Sequence, residues 1–599
     1  MTQTPDSTGL SGRRRRPQAS DANRRKRHMV MNRRPLVAVA TAGALLSLAA
    51  CGGGSSNSDT SRTGSKGGTI HYLTKRPTEH LDPQRVYIGR DIANLDRLAY
   101  RGLVGYPVTE DEDEANTPVP DLATDTGTSA EDGKQWSFTL KDGVRWEDGK
   151  DITCEDLKYG VSRTFATDVI TGGPNYILSF LDVPKGKDGL PLYNGPYKKK
   201  NQADFDKAVT CDGKTITYRF DKPFPDFPLA IASLTSFDPF RADQDQGDKS
   251  NFAVFSSGPY KLQGKWNVSS GGTFVRNPEY DASTDTMRKA LPDKVVFTQG
   301  LSNEVVNERI IADSGDDQTA VTDRVIPPAY YSRINGAIAD RAVLVDSPYV
   351  YYLLPNFNRM KNLKVRQALM QATNAEGWIN AEGGSKAAKP AKSIVNPALI
   401  GYEDNPNFTQ PPGGDVEAAR TLLQESGEKL PYPIKFTYSG GTPTSDKAAA
   451  ALAATWNKAG FKVTLDPLTE TYYDVINKPT ADGDVFWGGW GADWPSIATV
   501  IPPLFDSRIN LTSNSNGQDY GNYRSETVNR LIDRAASQGS VTDQSEIYAQ
   551  IDDQLGKDVA YIPLEVTRFY LIHGSKVTGY INNPATSGYP DLGSLGAAQ

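Results

Sequence analysis

Apolar positions alternate with polar ones at Trp136, Phe138 and Leu140. Asp142-Gly143 then supplies a turn, and Val144 and Trp146 resume the alternation as far as a second turn at Asp148-Gly149. Period two broken by turn residues predicts a hairpin region. Directly after it, Thr153 to Asp156 has the form of a capping box, and Leu157, Val161 and Phe165 recur every four residues, so strand gives way to helix. Further on, Val365, Ala368, Leu369 and Ala372 follow the helical i, i+3, i+4, i+7 rule behind Asn362, a good N-cap. Two more helices are predicted from Asp415 to a stop at Gly427 and from Thr444 or Ser445 to a stop at Gly460, each glycine suiting the C′ position. Phe461, Val463 and Leu465 alternate as a strand, and Val485-Phe486-Trp487 forms an apolar run after Asp482-Gly483. Helices are expected at 526–538 and 544–556. Strands separated by helices of this length predict α/β layers with mixed, partly parallel sheets.

The N-terminal pattern is different in kind. Met31-Asn32-Arg33-Arg34 precedes a short apolar stretch, Leu36 to Leu48, too short for a membrane span and suited to the core of a signal peptide. It ends in Leu48-Ala49-Ala50-Cys51, followed by Gly52 to Ser58, and resembles the bacterial lipobox, in which the cysteine is lipidated and becomes the first residue of the mature chain. Residues 1–50 therefore read as a signal peptide with an upstream extension, translation being expected to start at Met29 or Met31, and residues 51–68 as lipidated Cys51 plus a tether. The stretch from Gly52 to Gly68 contains no apolar residue, so it is expected to be flexible, with a root-mean-square reach of roughly 20 to 25 Å.

That division changes the meaning of the charge. The chain of 599 residues carries a net charge of −6, but residues 1–50 hold ten Lys/Arg against two Asp/Glu, which leaves −14 on the remainder. The Arg runs at 13–16 and 24–27 thus belong to the leader, and nucleic acid is not an expected partner. Export also bears on Cys154 and Cys211, because thiols outside the cytoplasm tend to pair. A Cys154–Cys211 bridge is expected, the alternative being two buried thiols. The histidines of the mature chain, His71, His80 and His573, have no neighbours at ligand spacing, so no metal site and no cofactor are expected. The acidic run Glu110 to Glu114 lacks the glycine and terminal Glu of an EF-hand and reads as a solvated loop.

Eight segments in order carry a family resemblance over nearly the whole mature chain. They are Leu81-Asp82-Pro83, Asn94 to Leu103, Pro120 to Ala123, Trp136 to Gly149, Ser257-Gly258-Pro259-Tyr260, Arg276 to Tyr280, Val365 to Leu369, and Gly489-Trp490-Gly491-Ala492-Asp493-Trp494. The series resembles family 5 of the extracellular solute-binding proteins, the oligopeptide, dipeptide and nickel-binding proteins of bacterial ABC importers, here in lipoprotein form. The resemblance implies a two-lobed, periplasmic-binding-protein-like α/β fold of class II with three domains and hinge closure. Domain I would comprise 69–100, 223–346 and 560–599, domain II the inserted 101–222, and domain III, the second lobe, 347–559. It further implies a monomer, lipid-anchored at the outer face of the cell membrane, that captures a peptide or other small solute and hands it to an ABC permease.

The candidate site follows from the same segments. Gly489 and Gly491 permit close approach of another extended chain, as strand addition by a peptide requires. Asp493 has the position at which similar peptide binders hold the α-ammonium, and it equally suits an N-cap, since Trp494 is followed by Pro495. Trp490 and Trp494 offer apolar walls with an indole N–H or, alternatively, core packing. By resemblance the opposite edge is Tyr87, Ile88 and Gly89, with Tyr176 from the inserted domain. Tyr349 to Tyr352 reads as a core strand at a domain crossing. Dipeptide-specific relatives have an arginine that clamps the ligand carboxylate just after the strand matching Ile434 to Tyr438; here the stretch is Ser439 to Thr444 with no arginine, which argues for a longer or different ligand. No nucleophile elbow, phosphate loop or His-Glu-x-x-His motif is present, so an enzyme is not expected. The same scaffold serving a non-peptide solute, or acting as a receptor or chaperone, is the alternative.

Overall fold

The computed structural model describes residues 64–174, 176–187, 189–469 and 471–599. Three sheets organise it. In a five-stranded mixed sheet Thr69–Leu73 lies parallel between Ala320–Thr322 at the edge and the central strand Lys294–Thr298, beyond which Gly271–Arg276 and then Tyr260–Asn267 are each added antiparallel to their neighbour. A four-stranded antiparallel sheet is built from Thr128–Ala130, Gln135–Thr139, Thr215–Arg219 and Val209–Asp212. The six-stranded sheet contains the long strand Ala342–Pro355, paired antiparallel to both Val485–Gly491 and Ile562–Ile572. Tyr432–Ser439 and Phe461–Leu468 run parallel beside them. Each sheet has its own buried apolar cluster, the largest around the four-stranded sheet and centred on Phe138, Trp146, Leu157, Tyr218 and Phe227. Among the described residues no helix is long and apolar enough to cross a membrane.

Helices form where local chemistry specifies them. Thr153 and Asp156 make the reciprocal capping box of helix Cys154–Thr164. Asn362 and Asp415 cap helices Leu363–Gln371 and Val416–Glu425, and Gly460, at φ +114°, ends helix Pro443–Ala459. Helix Val541–Asp558 starts three residues before the expected 544, because the Ser540 side chain accepts from the Asp543 amide and takes the N-cap.

Two sequence expectations are corrected. The Asp142-Gly143 turn does not pair residues 136–140 with 144–146, whereas the Asp148-Gly149 turn does close a small hairpin, with Arg145 bridging Asp151 and the Ile152 amide donating to the Val144 carbonyl at 3.0 Å. Gln135–Thr139 pairs with Thr128–Ala130 and with Thr215–Arg219, while Val144 and Trp146 leave the sheet after the Asp142-Gly143 turn and bury their side chains in the core beside it. The expected tether is also shorter, since residues 64–68 lie against the body. The Ser65 amide donates to Thr578 Oγ1 at 2.8 Å, Gly67 to the Leu291 carbonyl at 2.9 Å, and Gly68 to Asp293 Oδ2 at 3.1 Å. A segment without apolar side chains still has backbone donors, and these hold it. Residues 1–50, Cys51 and the tether as far as residue 63 lie outside the described residues.

Cys154, at the start of its helix, is bonded to Cys211 on the Val209–Asp212 strand, with Cα atoms 5.9 Å apart and a sequence separation of 57. In the chain-entropy description a loop of this length is worth about 4 kcal/mol. Chemical denaturation of the Cys154→Ser/Cys211→Ser variant is expected to show a loss of that order, and a non-reducing peptide map of the native protein should recover the linked pair. Two alkylatable thiols in the native protein would contradict this.

Candidate functional site

A cavity of about 830 Å³ is bounded by segments from across the chain. Its walls include Tyr87 and Gly89 at the start of helix Gly89–Leu98, residues 344–349 of the long strand, residues 396–399, residues 489–495, and residues 584–587 near the C-terminus. Strand Val485–Gly491 brings its last residues to this cavity. Beyond Phe486 it pairs only with the long strand, in the register Tyr349 to Gly491, Tyr351 to Gly489 and Tyr352 to Gly488, and no strand covers its other edge among the described residues.

The glycines of this strand have an internal reason. A Cβ at Gly489 would lie 2.7 Å from the Tyr351 ring, and one at Gly491 would lie 2.8 Å from the Tyr349 ring. The close neighbours are therefore tyrosine rings of the protein's own adjacent strand.

Asp493 follows two residues later and is not an N-cap. Residues 494–496 stay irregular, and the next helical turn, Ile497–Thr499, is capped by Ser496. The Asp493 amide donates to Thr499 Oγ1 at 3.1 Å, which fixes the backbone. Its carboxylate instead accepts from the Tyr176 hydroxyl, with the Tyr87 hydroxyl also in hydrogen-bonding reach. Burial raises the Asp493 pKa above the ordinary carboxylate value, and the two hydroxyls only partly oppose the shift. Both phenols are pushed up in turn, by burial first and then by the neighbouring Asp493 charge. Among the described residues Asp493 makes no ion pair. It is a largely buried carboxylate, held by neutral donors and left without a counter-charge.

The two tryptophans have different roles. Trp490 faces the cavity, but its indole N–H donates to the Thr499 carbonyl at 2.8 Å, so it presents a ring and no free donor. Trp494 is 3% exposed and inserts into the cluster around the four-stranded sheet. There it meets Tyr176 edge-on at 4.7 Å between ring centroids and Phe224 at 6.0 Å, and donates to Asp226 Oδ2 at 2.9 Å. Neither indole N–H is available as a handle for a ligand.

Ile88 does not line the cavity; it precedes helix Gly89–Leu98, and its carbonyl accepts from Asp91 and Ile92. Tyr176 reaches the cavity edge through Asp493. Tyr349, read from sequence as core, lines the cavity, while Val350 and Tyr352 on the opposite face are buried. The period-two alternation within Tyr349 to Tyr352 was the available signal. Residues 439–444 contribute nothing to the walls. Thr442 forms a capping box with Ser445 there and opens helix Pro443–Ala459. The cationic residues that do line the cavity are already paired: Arg97 with Asp591 at 3.1 Å, and Lys389 with Asp346, which also accepts from Arg568 at 2.7 Å. The site thus offers an unneutralised carboxylate at Asp493, an uncovered strand edge, and aromatic walls.

Residues 117–511 match the family described as bacterial extracellular solute-binding proteins, family 5 Middle. The chain belongs to that family. Family 5 members are binding proteins rather than enzymes, and the mixed α/β architecture described above is theirs. The chain is 25% identical over 526 residues to the periplasmic oligopeptide-binding protein OppA of Salmonella typhimurium, covering 84% of this chain and 87% of that one. The solved structure of clavulanic acid biosynthesis oligopeptide binding protein 2 superposes with a TM-score of 0.79 at 27% identity, over 89% of this chain and 96% of the other. The fold is shared as well with the oligopeptide-binding protein AppA of Bacillus subtilis, solved in complex with a nonapeptide, at a TM-score of 0.63 and 17% identity over 90% and 100% of the two chains.

Proposed function

We propose that this family 5 protein captures extracellular peptides, oligopeptides rather than strict dipeptides, and delivers them to an ABC permease. The observation that carries the reading is Asp493, a carboxylate in the wall of a large cavity with two hydroxyl donors and no cation. An α-ammonium supplies the missing charge, and the uncovered edge after Trp487, whose own carbonyl accepts from the Tyr472 hydroxyl, supplies main-chain partners for an extended ligand. The peptide-binding relatives support the same reading, and both lining cations being occupied argues against a dedicated carboxylate clamp. The ligand-binding set is Tyr87, Gly89, Tyr176, Gly489, Trp490, Gly491 and Asp493, with Trp494 acting as a packing anchor.

The domain division proposed is 69–100, 223–346 and 560–599 for domain I, 101–222 for domain II and 347–559 for domain III. Strands Ala342–Pro355 and Ile562–Ile572 form the crossings about which the lobes close. Calorimetry with a panel of free, N-acetylated and C-amidated peptides of several lengths tests the assignment. Free and amidated peptides should bind alike and acetylated ones weakly. Failure of every peptide would move the assignment to another solute, and strict dipeptide selectivity with loss on amidation would place a carboxylate clamp elsewhere in the cavity.

The protein acts as a monomer anchored through Cys51 at the outer face of the cell membrane. Metabolic labelling with a fatty-acid probe should mark the wild type and not Cys51→Ser. Labelling of both would remove the lipobox reading.

A further inference from the structure

Like Asp493, Asp226 is a buried carboxylate without a counter-charge. It precedes helix Phe227–Ser233, yet its side chain makes no cap hydrogen bond there. It is 1% exposed and meets residues of the proposed second lobe instead. Trp494 Nε1 donates to its Oδ2 at 2.9 Å, the Ser496 side chain lies alongside, and Oδ1 is buried with no hydrogen-bond partner among the described residues. The titratable groups within electrostatic reach are phenols: Tyr106, whose hydroxyl donates to the Leu229 carbonyl at 3.0 Å, and Tyr548 on helix Val541–Asp558. Both are pushed up by burial first, and the Asp226 charge adds to the shift. No Lys, Arg or His among the described residues pairs with Asp226. The proposed lobes touch elsewhere as well. Val541 packs against the cluster of the four-stranded sheet, and Asn116 Nδ2 donates to the Ala398 carbonyl at 3.2 Å. None of these contacts belongs to the crossing strands Ala342–Pro355 and Ile562–Ile572.

We propose that Asp226 is a proton-coupled latch between the lobes: exposed and ionised while they are apart, it takes up a proton from solvent as closure carries it against Trp494, so acidification favours the closed form. The inference rests on the two-lobe reading and not on the identity of the ligand. Its physical basis is the loss of water. On closure the carboxylate exchanges its hydration shell for one indole N–H and the neighbouring Ser496, with no cation, and the neutral acid loses far less than the anion does. Trp494 donates equally well to the carbonyl oxygen of the neutral acid, so the contact survives protonation. Burial raises the Asp226 pKa, with Ser496 and Trp494 opposing. A group held at a higher pKa in the closed form than in the open one favours closure as pH falls below the raised value, and the gain levels off beneath the ordinary carboxylate range. Each unit of difference is a factor of about ten in the closed-to-open ratio. At neutral pH the ionised Asp226 thus holds the empty protein open. Its effect on affinity has the opposite sign to that of Asp493, whose protonation removes the ammonium's partner.

Asp493 meets Tyr87 and Tyr176 across the same contact, so it too titrates when the empty protein closes, and an Asp493→Asn background removes that contribution. Solution scattering compares ligand-free Asp493→Asn with Asp493→Asn/Asp226→Asn from neutral pH down to the ordinary carboxylate range. The single variant is expected to contract on acidification. The double variant should be the more compact of the two at neutral pH and should respond less. Acidification also lessens the overall negative charge, but it does so in both, and the difference between them carries the inference. Calorimetry of peptide binding in two buffers of different ionisation enthalpy should show wild type taking up more protons than Asp226→Asn, by up to about one per molecule closed. Equal radii of the two variants at every pH overturn the latch. So does an Asp226→Asn protein that unfolds at a higher temperature with its radius and proton uptake unchanged, which would make Asp226 a permanent core carboxylate. A saturating ligand that contracts neither wild type nor Asp226→Asn would overturn two-lobe closure itself, and the latch with it.

Discussion

Replacing Asp493 by Ala is expected to weaken peptide binding by roughly 30-fold or more, while Asp493→Asn weakens it comparably and leaves the fold intact. Removing one partner of a buried charge pair costs on the order of 2 to 5 kcal/mol, because the ligand's ammonium then has no counter-charge where water is scarce. Acetylating the peptide amine removes the other partner and should give a similar loss, and the two losses should not add, since they delete the same interaction. Stability moves in the opposite direction. Burial raises the Asp493 pKa above the ordinary value, so the folded protein retains a proton that the unfolded chain has already released. Its contribution therefore falls as pH rises from the ordinary range through the raised value. Unliganded Asp493→Asn, which carries no charge, should unfold at the same or a higher temperature than wild type at neutral pH. Affinity should also decline on acidification at a higher pH than an exposed aspartate would impose. Calorimetry and thermal unfolding of the same samples separate the two effects. Undiminished affinity for a free-amine peptide in Asp493→Asn would refute the ammonium anchor.

What the sequence made legible was mostly local. Thr153 with Asp156, Asn362, Asp415 and Gly460 each determine a helix end through hydrogen bonds to neighbours a few residues away, so their spacing was sufficient. The strand at 135–139 was found, but its partner was not. The choice between Val144–Trp146 and Thr215–Arg219, some 80 positions away, depends on which surface the core can cover, and turn residues carry no information about that. The glycines at 489 and 491 correctly announced a close approach, yet spacing cannot say what approaches, and the answer was the rings of Tyr351 and Tyr349. At Asp493 two local rules competed. The cap reading lost because Tyr176, 317 positions distant, supplies a donor, and Ser496 supplies the cap.

Trp494→Ala is expected to separate closure from folding. A buried tryptophan truncated to alanine costs about 3 to 5 kcal/mol. Where that cost appears depends on what the indole holds together. Trp494 follows the strand Val485–Gly491 of the six-stranded sheet, but its ring is seated among Tyr176, Phe224 and Asp226, beside the four-stranded sheet. If these bodies part when the site opens, as the proposed hinge requires, the contact belongs to the closed form alone. The apparent dissociation constant then rises by the fraction of closed protein lost, on the order of 100-fold or more. The unfolding midpoint of the unliganded protein should shift little, and solution scattering at a moderate ligand concentration should show no compaction where wild type shrinks. Trp494→Phe tests the polar half of the contact. It keeps a ring but leaves Asp226, whose pKa burial already raises, without its indole donor. Pairing it with Asp226→Asn should recover part of the loss, giving a measurable coupling in a double-mutant cycle. A large drop in unfolding temperature with an unchanged dissociation constant would mean that the indole is a permanent core contact, and that the bodies on either side of the cavity do not separate there.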